Sequence, residues 1–125
     1  MRFMIMVKSA ESAGPPPMAL MAAIAKLGEE ATRAGAMVQT GGLLPSAMGA
    51  RVRLSAGKLT VTDGPFAETK ELIGGYAVYD VKSKQEAIEW TSRFMQLHKD
   101  HWPGWEGESE IRQIFEPPQP PQGKT

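Results

Sequence analysis

Gly75-Tyr76-Ala77-Val78-Tyr79-Asp80-Val81, followed directly by Ser83-Lys84-Gln85-Glu86, is the stretch that decides the fold. The first run is apolar on both sides, with Ala77, Tyr79 and Val81 one way and Tyr76 and Val78 the other. It reads as a strand buried on both faces. Ser83 and Glu86 have the spacing of a capping box, in which hydroxyl and carboxylate each satisfy an unbonded N–H at a helix start. The helix is expected to run to about Lys99 with Ala87, Trp90, Thr91, Phe94 and Leu97 on its buried side. Pro103-Gly104 breaks the chain, and Ser109 to Phe115 reads as a further strand.

The N-terminal part repeats this unit. Phe3 to Val7 is a strand with Phe3, Ile5 and Val7 on one face and Met4 and Met6 on the other. Pro15-Pro16-Pro17 opens a helix, Pro17 fitting a first turn whose N–H groups are unbonded anyway. Leu20, Ile24, Leu27 and Ala31 form its apolar stripe, Gly35 suits its stop, and Met37 to Thr40 is the second strand. Between the two units, Arg51-Val52-Arg53-Leu54 and Leu59-Thr60-Val61-Thr62 flank Ser55-Ala56-Gly57-Lys58. That pattern is a hairpin with Val52, Leu54, Leu59 and Val61 on an expected dry face. Two β–α–β units with both helices on one face make a ferredoxin-like α+β sandwich, here with an inserted β-hairpin. Residues 1–116 form this domain, and the Pro- and Gln-rich tail 117–125 is expected to be disordered.

A chain of 125 residues without cysteine can bury a core unaided but has no disulfide and no thiolate. Its 14 basic and 14 acidic residues balance, which argues against nucleic acid as a partner. The apolar run at the N-terminus is too short to cross a bilayer or to act as a signal-peptide core, so no membrane partner and a cytoplasmic location are expected.

Val61-Thr62-Asp63-Gly64-Pro65-Phe66-Ala67-Glu68-Thr69-Lys70-Glu71, followed by Gly74-Gly75-Tyr76, closely resembles the signature of the DGPF-domain branch of the YCII-related proteins. Gly42 to Ser46, Ser83 to Trp90 and Glu110 to Gln113 match the same family, so the resemblance spans about residues 1–116. It implies a ferredoxin-like fold that pairs through its sheet as a dimeric α/β barrel. It also implies kinship with small enzymes that act on cyclic or aromatic molecules without a cofactor, and many members are encoded beside extracytoplasmic-function sigma factors. Members commonly carry Asn before the paired glutamates of the first helix. Gly28 stands there in this chain, so a role for that Asn does not carry over.

Several residues are candidates for chemistry, each with a plainer alternative. Asp63 in Asp-Gly-Pro-Phe is either a turn residue capping the following N–H groups and placing Phe66, or a base or ligand acceptor in a cleft. Glu68, Lys70 and Glu71 are either a solvated strand edge or, through Lys70 and Glu68, a site for an anionic ligand. His98 and His101 sit near a helix C-terminus, where imidazole is electrostatically favourable. They are also the side chains whose ordinary pKa suits acid–base work at neutral pH. No third metal ligand is identifiable beside them, so no metal is expected. Trp90, Trp102, Trp105 and Phe94 are core, interface or pocket aromatics. Neither Gly41-Gly42 nor Gly74-Gly75 has phosphate-loop spacing, and no cofactor is expected.

Two functions follow. One is a cofactor-independent small-molecule enzyme or binder, with Asp63, Tyr76, His98 or His101 acting in a cleft between sheet and hairpin. The other is a non-catalytic regulatory partner, for instance of a sigma factor. The sequence leaves open whether the chain is an enzyme. Both readings expect a homodimer built on the open sheet face, because a sheet apolar on both sides is poorly suited to water.

Overall fold

The computed structural model describes residues 1–66 and 71–118. Its elements are β1 (Arg2–Ser9), α1 (Met18–Arg33), β2 (Met37–Gly42), β3 (Ala50–Ser55), β4 (Lys58–Asp63), β5 (Leu72–Asp80), α2 (Lys84–His101) and β6 (Gly107–Gln113). Short 3-10 turns occupy Glu11–Ala13 and Ser46–Met48. Four strands form one sheet in the order β2-β5-β1-β6, every neighbouring pair antiparallel. β1 and β2 therefore run the same way with α1 as their crossover, and β5 and β6 do so with α2. That is the ferredoxin-like α+β arrangement expected from the sequence, and β3–β4 is the inserted ribbon.

Local chemistry sets the helix ends. The Glu86 N–H donates to Ser83 Oγ at 3.1 Å, and the Glu86 carboxylate accepts from the Lys82 N–H at 2.8 Å, one residue before the reciprocal bond of a standard box. Pro17 caps α1 with an extended backbone. Gly35 takes the positive φ of +74° that ends it, while the Ala36 N–H closes on the Ala31 carbonyl at 2.9 Å. α2 extends to His101, and its buried residues are Ala87, Thr91 and His98, with Trp90, Phe94 and Leu97 half-buried. β6 begins two residues before the expected Ser109, because Gly107 and Glu108 pair with Ser9 and Lys8.

Strand register places Phe3, Ile5, Val7 and Ser9 of β1 towards the helices. Level with them are Tyr79, Ala77 and Gly75 of β5, then Ile111, Ser109 and Gly107 of β6, then Met37, Thr40 and Gly42 of β2. Side chains on this face become smaller from Phe3 to Ser9 in β1, from Ile111 to Gly107 in β6 and from Met37 to Gly42 in β2; in β5 they fall from Tyr79 to Gly75, after which Leu72 stands beside Ser9. The large ones join Ala31, Ala36, Val81 and Ala87 in the core, with Trp90 packed against it. This cluster lies at the Phe3–Tyr79 end, and towards the other end Leu20 near the start of α1 is also fully buried.

The opposite face carries Met4, Met6, Tyr76 and Val78, as the alternation requires, but also Lys8, Glu110 and Arg112. Lys8 Nζ lies 2.6 Å from Glu110 Oε1, and Arg112 donates to the other oxygen at 3.0 Å. The hairpin departs from expectation. Val52, Leu54, Leu59 and Val61 share one face of the ribbon, yet they are 68–71% exposed. The ribbon leaves the body of the domain as an arm, so its apolar face meets none of the core. Its stem is held by Gly64, whose N–H donates to the Gly49 carbonyl, and a Cβ at Gly64 would overlap the Ser46 carbonyl oxygen. Among the described residues no helix is long and apolar enough to cross a membrane. The tail beyond Pro118 lies outside the described residues.

Loss of the α2 cap isolates one local term. Ser83→Ala should lower stability by about 0.5–2 kcal/mol in chemical denaturation with an unchanged denaturant slope. No change would mean that Glu86 alone holds the helix start.

Candidate functional site

The unfilled end of the sandwich is a cavity of about 1290 Å³ between the sheet, α1 and the C-terminal half of α2. Its floor is the small-residue end of the sheet: Val7 and Ser9, Gly75, Thr40 and Gly42. Its roof is the flank of α1 bearing Met21, Ile24 and Gly28, and its far wall is Phe94, His98, Trp102 and Trp105. Leu43, Leu44 and Pro45 form an exposed lip, and the exposed charged residues Glu11, Glu29 and Arg33 also line the cavity. Gly28 matters to the roof. It is an interior helical residue, a Cβ there would meet nothing within 4 Å, and glycine in such a place costs about 1 kcal/mol relative to alanine. Packing does not demand a glycine at that position, which borders the open space of the cavity.

Among the described residues that line the cavity, His98 is the one whose ordinary pKa lies near neutrality. It is 6% exposed and lies between the edge of Phe94 (ring centroids 4.6 Å apart) and the ring of Trp105 (4.4 Å), which itself stacks on Trp102 at 5.9 Å. Its Nδ1 is 3.0 Å from the Phe94 carbonyl oxygen. A carbonyl only accepts, so Nδ1 carries the proton and Nε2 is left with a lone pair. No partner among the described residues engages Nε2. Burial pushes the imidazole pKa below its ordinary value, and the Phe94 carbonyl opposes that only in part. At neutral pH His98 is thus a neutral hydrogen-bond acceptor beside an apolar space.

The other candidates from the sequence are scattered. Tyr76 borders the cavity through its main chain, since its ring lies on the opposite sheet face across Gly41 and its hydroxyl accepts from Gln39 Nε2 at 2.9 Å. His101 ends α2 half-buried and does not line the cavity. Asp63 is exposed at the end of β4, opposite Ala50, and its carboxylate caps no N–H among the described residues. Phe66 is placed instead by Ser46, whose hydroxyl accepts from the Phe66 N–H at 3.2 Å while both oxygens of Glu11 hold Ser46 in turn. The guanidinium of Arg51 lies 3.9 Å from the centre of the Phe66 ring. Glu68 and Lys70 lie outside the described residues. The cleft is therefore between sheet and helices, not between sheet and hairpin, and Asp63 and Phe66 belong to the arm's stem. Among the described residues no three His, Asp or Glu side chains gather as metal ligands.

The family model for the YCII-related domain matches residues 1–102 of this chain. The chain belongs to the YCII-related family. An uncharacterized protein of Rhizobium meliloti (strain 1021) is 43% identical over 56 residues. That segment is 45% of this YCII-related chain and 45% of its relative, so the match spans less than half the relative's length. Gly28 and the Leu43-Leu44 lip were not singled out from sequence as site residues. The signal that could have found them is the coordinated shrinking of side chains along the strands, visible only once register is known.

Two measurements follow from this geometry. A histidine whose folded pKa lies below its unfolded value of 6.5 leaves stability intact above 6.5, and stability falls as pH drops through the folded pKa, because the unfolded chain binds the proton first. Between about pH 7.5 and about pH 5.5 the melting temperature of the wild type should fall more than that of His98→Gln; equal slopes would refute the assignment. Asp63→Ala should change stability by no more than about 0.5 kcal/mol, as at other exposed unpaired positions. A larger loss would restore the carboxylate cap.

Proposed function

We propose that this protein, in the DGPF branch marked by Asp63-Gly64-Pro65-Phe66, binds a small, largely apolar molecule with one acidic hydrogen in the cavity beneath α1. Phenols and enolisable ketones are the chemical classes that fit. The observation that carries this reading is a neutral imidazole with a free Nε2 on the wall of an otherwise apolar space. Apolar walls and a few placed polar groups are the usual make-up of small-molecule sites. A hydroxyl donating to Nε2 would be fixed in orientation and shielded from water. Where the ligand's hydrogen is on carbon, Nε2 can take it and return it to a neighbouring atom, an isomerisation in which the proton count closes on the ligand itself. Such proton transfer is what a single positioned histidine contributes.

The probe for this reading is 2-naphthol, which has an apolar body and one hydroxyl. Calorimetric titration should give saturable binding, one molecule per chain. His98→Phe keeps an aromatic stack but removes the acceptor and should weaken binding at least tenfold, while naphthalene should not distinguish the two proteins. Gly28→Leu fills the roof and should abolish binding while raising the melting temperature, since leucine favours helix over glycine. Absence of 2-naphthol binding to the wild type, or binding indifferent to both substitutions, would refute the proposal.

A further inference from the structure

The signature Asp63-Gly64-Pro65-Phe66 does not line the cavity, yet two of its residues act on the loop that forms the cavity lip. Leu43, Leu44 and Pro45 run into the short turn Ser46–Met48, closed by the Gly49 N–H on the Ser46 carbonyl at 2.9 Å. Gly64 meets both ends of that turn. Its N–H donates to the Gly49 carbonyl at 2.9 Å, and a Cβ on it would overlap the Ser46 carbonyl oxygen. The Phe66 N–H donates to Ser46 Oγ at 3.2 Å, and the Arg51 guanidinium lies 3.9 Å from the centre of the Phe66 ring. From the other side, the turn after β1 supplies Glu11. One of its carboxylate oxygens accepts the Ser46 N–H at 2.6 Å and the other accepts the Ser46 hydroxyl at 3.0 Å. The single hydrogen of that hydroxyl is thus committed to Glu11 and a lone pair to Phe66, so Ser46 joins the motif to the body of the domain.

We infer that Gly64 and Phe66 are positioning residues for the cavity lip, and that the Glu11–Ser46 pair is a latch through which the cavity mouth opens and shuts. Both latch partners stand at the mouth: Glu11 lines the cavity directly, and Ser46 follows Pro45 of the lip. Burial adds little to hold this segment, because Leu44 is 76% and Met48 73% exposed. Polar bonds hold it instead, and bonds to an ionised carboxylate are the stronger kind. A segment with few buried apolar contacts and exposed hydrogen bonds opens locally without unfolding the domain. The close approach of Gly64 to the Ser46 carbonyl gives the motif its requirement for glycine. Any side chain there would push the turn, and the lip moves with the turn. The gating rests on the cavity being a binding site, whereas the latch does not.

Amide hydrogen exchange, read residue by residue, tests the latch without any ligand. The Leu43 N–H bonds to the Gly74 carbonyl and the Met48 N–H to that of Pro45, so the variants leave the partners of both amides in place. Glu11→Ala, from the body side, and Gly64→Ala, from the motif side, should each speed exchange at both amides at least tenfold, with an unchanged far-ultraviolet spectrum. Ser46→Ala should do the same, and Ser46→Thr, which restores a hydroxyl, should return exchange to the wild-type rate. Asp63→Ala should leave both amides slow; fast exchange there would mean that any change in the stem suffices and would overturn the role of Gly64. Wild-type exchange in either Glu11→Ala or Gly64→Ala would overturn the inference. Stopped-flow mixing with 2-naphthol then tests gating. In Glu11→Ala and Ser46→Ala, association and dissociation should both quicken at least fivefold while Kd stays within threefold, because a gate alters access and not the bound state. Unchanged rates would overturn gating, and so would a change in dissociation alone, which would make the lip part of the binding surface. If the wild type binds no 2-naphthol, the cavity reading fails, and the exchange rates still decide the latch.

Discussion

The central position of β1 is the constraint on which the rest of the structure depends. It pairs with β5 on one side and β6 on the other, joining residues from both β–α–β units into one sheet. Its alternation then divides the molecule. Phe3 and Ile5 point into the helix layer and are almost fully buried, while Met4 and Met6 lie on the face that also carries the Lys8–Glu110–Arg112 cluster. A slip of one residue would exchange these sets, leaving Phe3 in water and setting charged groups beneath the helices. The burial of Phe3 and Ile5 therefore fixes the register, and the register fixes every row of side chains beneath α1 and α2.

From that register comes the cavity. Tyr79, Ala77 and Gly75 descend in size beside Phe3, Ile5 and Val7, and β2 and β6 follow, with Leu72 beside Ser9 at the margin. The helices are supported at the large end by Ala31 and Ala87 against the aromatic rows. Protein interiors are ordinarily close-packed, so a gap aligned over four strands and roofed by an interior helical glycine is a property of the design of the fold. His98 enters this space because α2 continues to His101, one turn past the region where its neighbours fill the core.

The arm is the complementary case. Gly64 allows the chain to pass closely over the Ser46 carbonyl, and the Glu11–Ser46–Phe66 bonds tie the stem to the body. The two strands of the ribbon are joined by their own ladder, and Arg51 of β3 lies over the Phe66 ring. Its apolar face and the cavity lip are two uncovered surfaces on one chain.

How much of this was legible in the sequence depended on range. The capping box at Ser83, the stripe Leu20, Leu27 and Ala31, the stop at Gly35 and the two-residue alternation of the strands are short-range signals. Together they determined the element order and the ferredoxin-like class. The same short range misled over the hairpin, since alternation shows that Val52, Leu54, Leu59 and Val61 share a face but not whether anything lies against it. Asp63 likewise carries turn chemistry in its neighbours, yet in the fold Ser46 performs the placement of Phe66 from twenty positions away. His98 stood out from His101 only once Phe94 and Trp105 enclosed it. The sequence by itself determined which residues form helices and strands and which of their faces are apolar, because those depend on neighbours a few residues apart. The tertiary structure alone decided where the interior is left empty and which histidine borders it, because both depend on side chains brought together by strand register from distant parts of the chain.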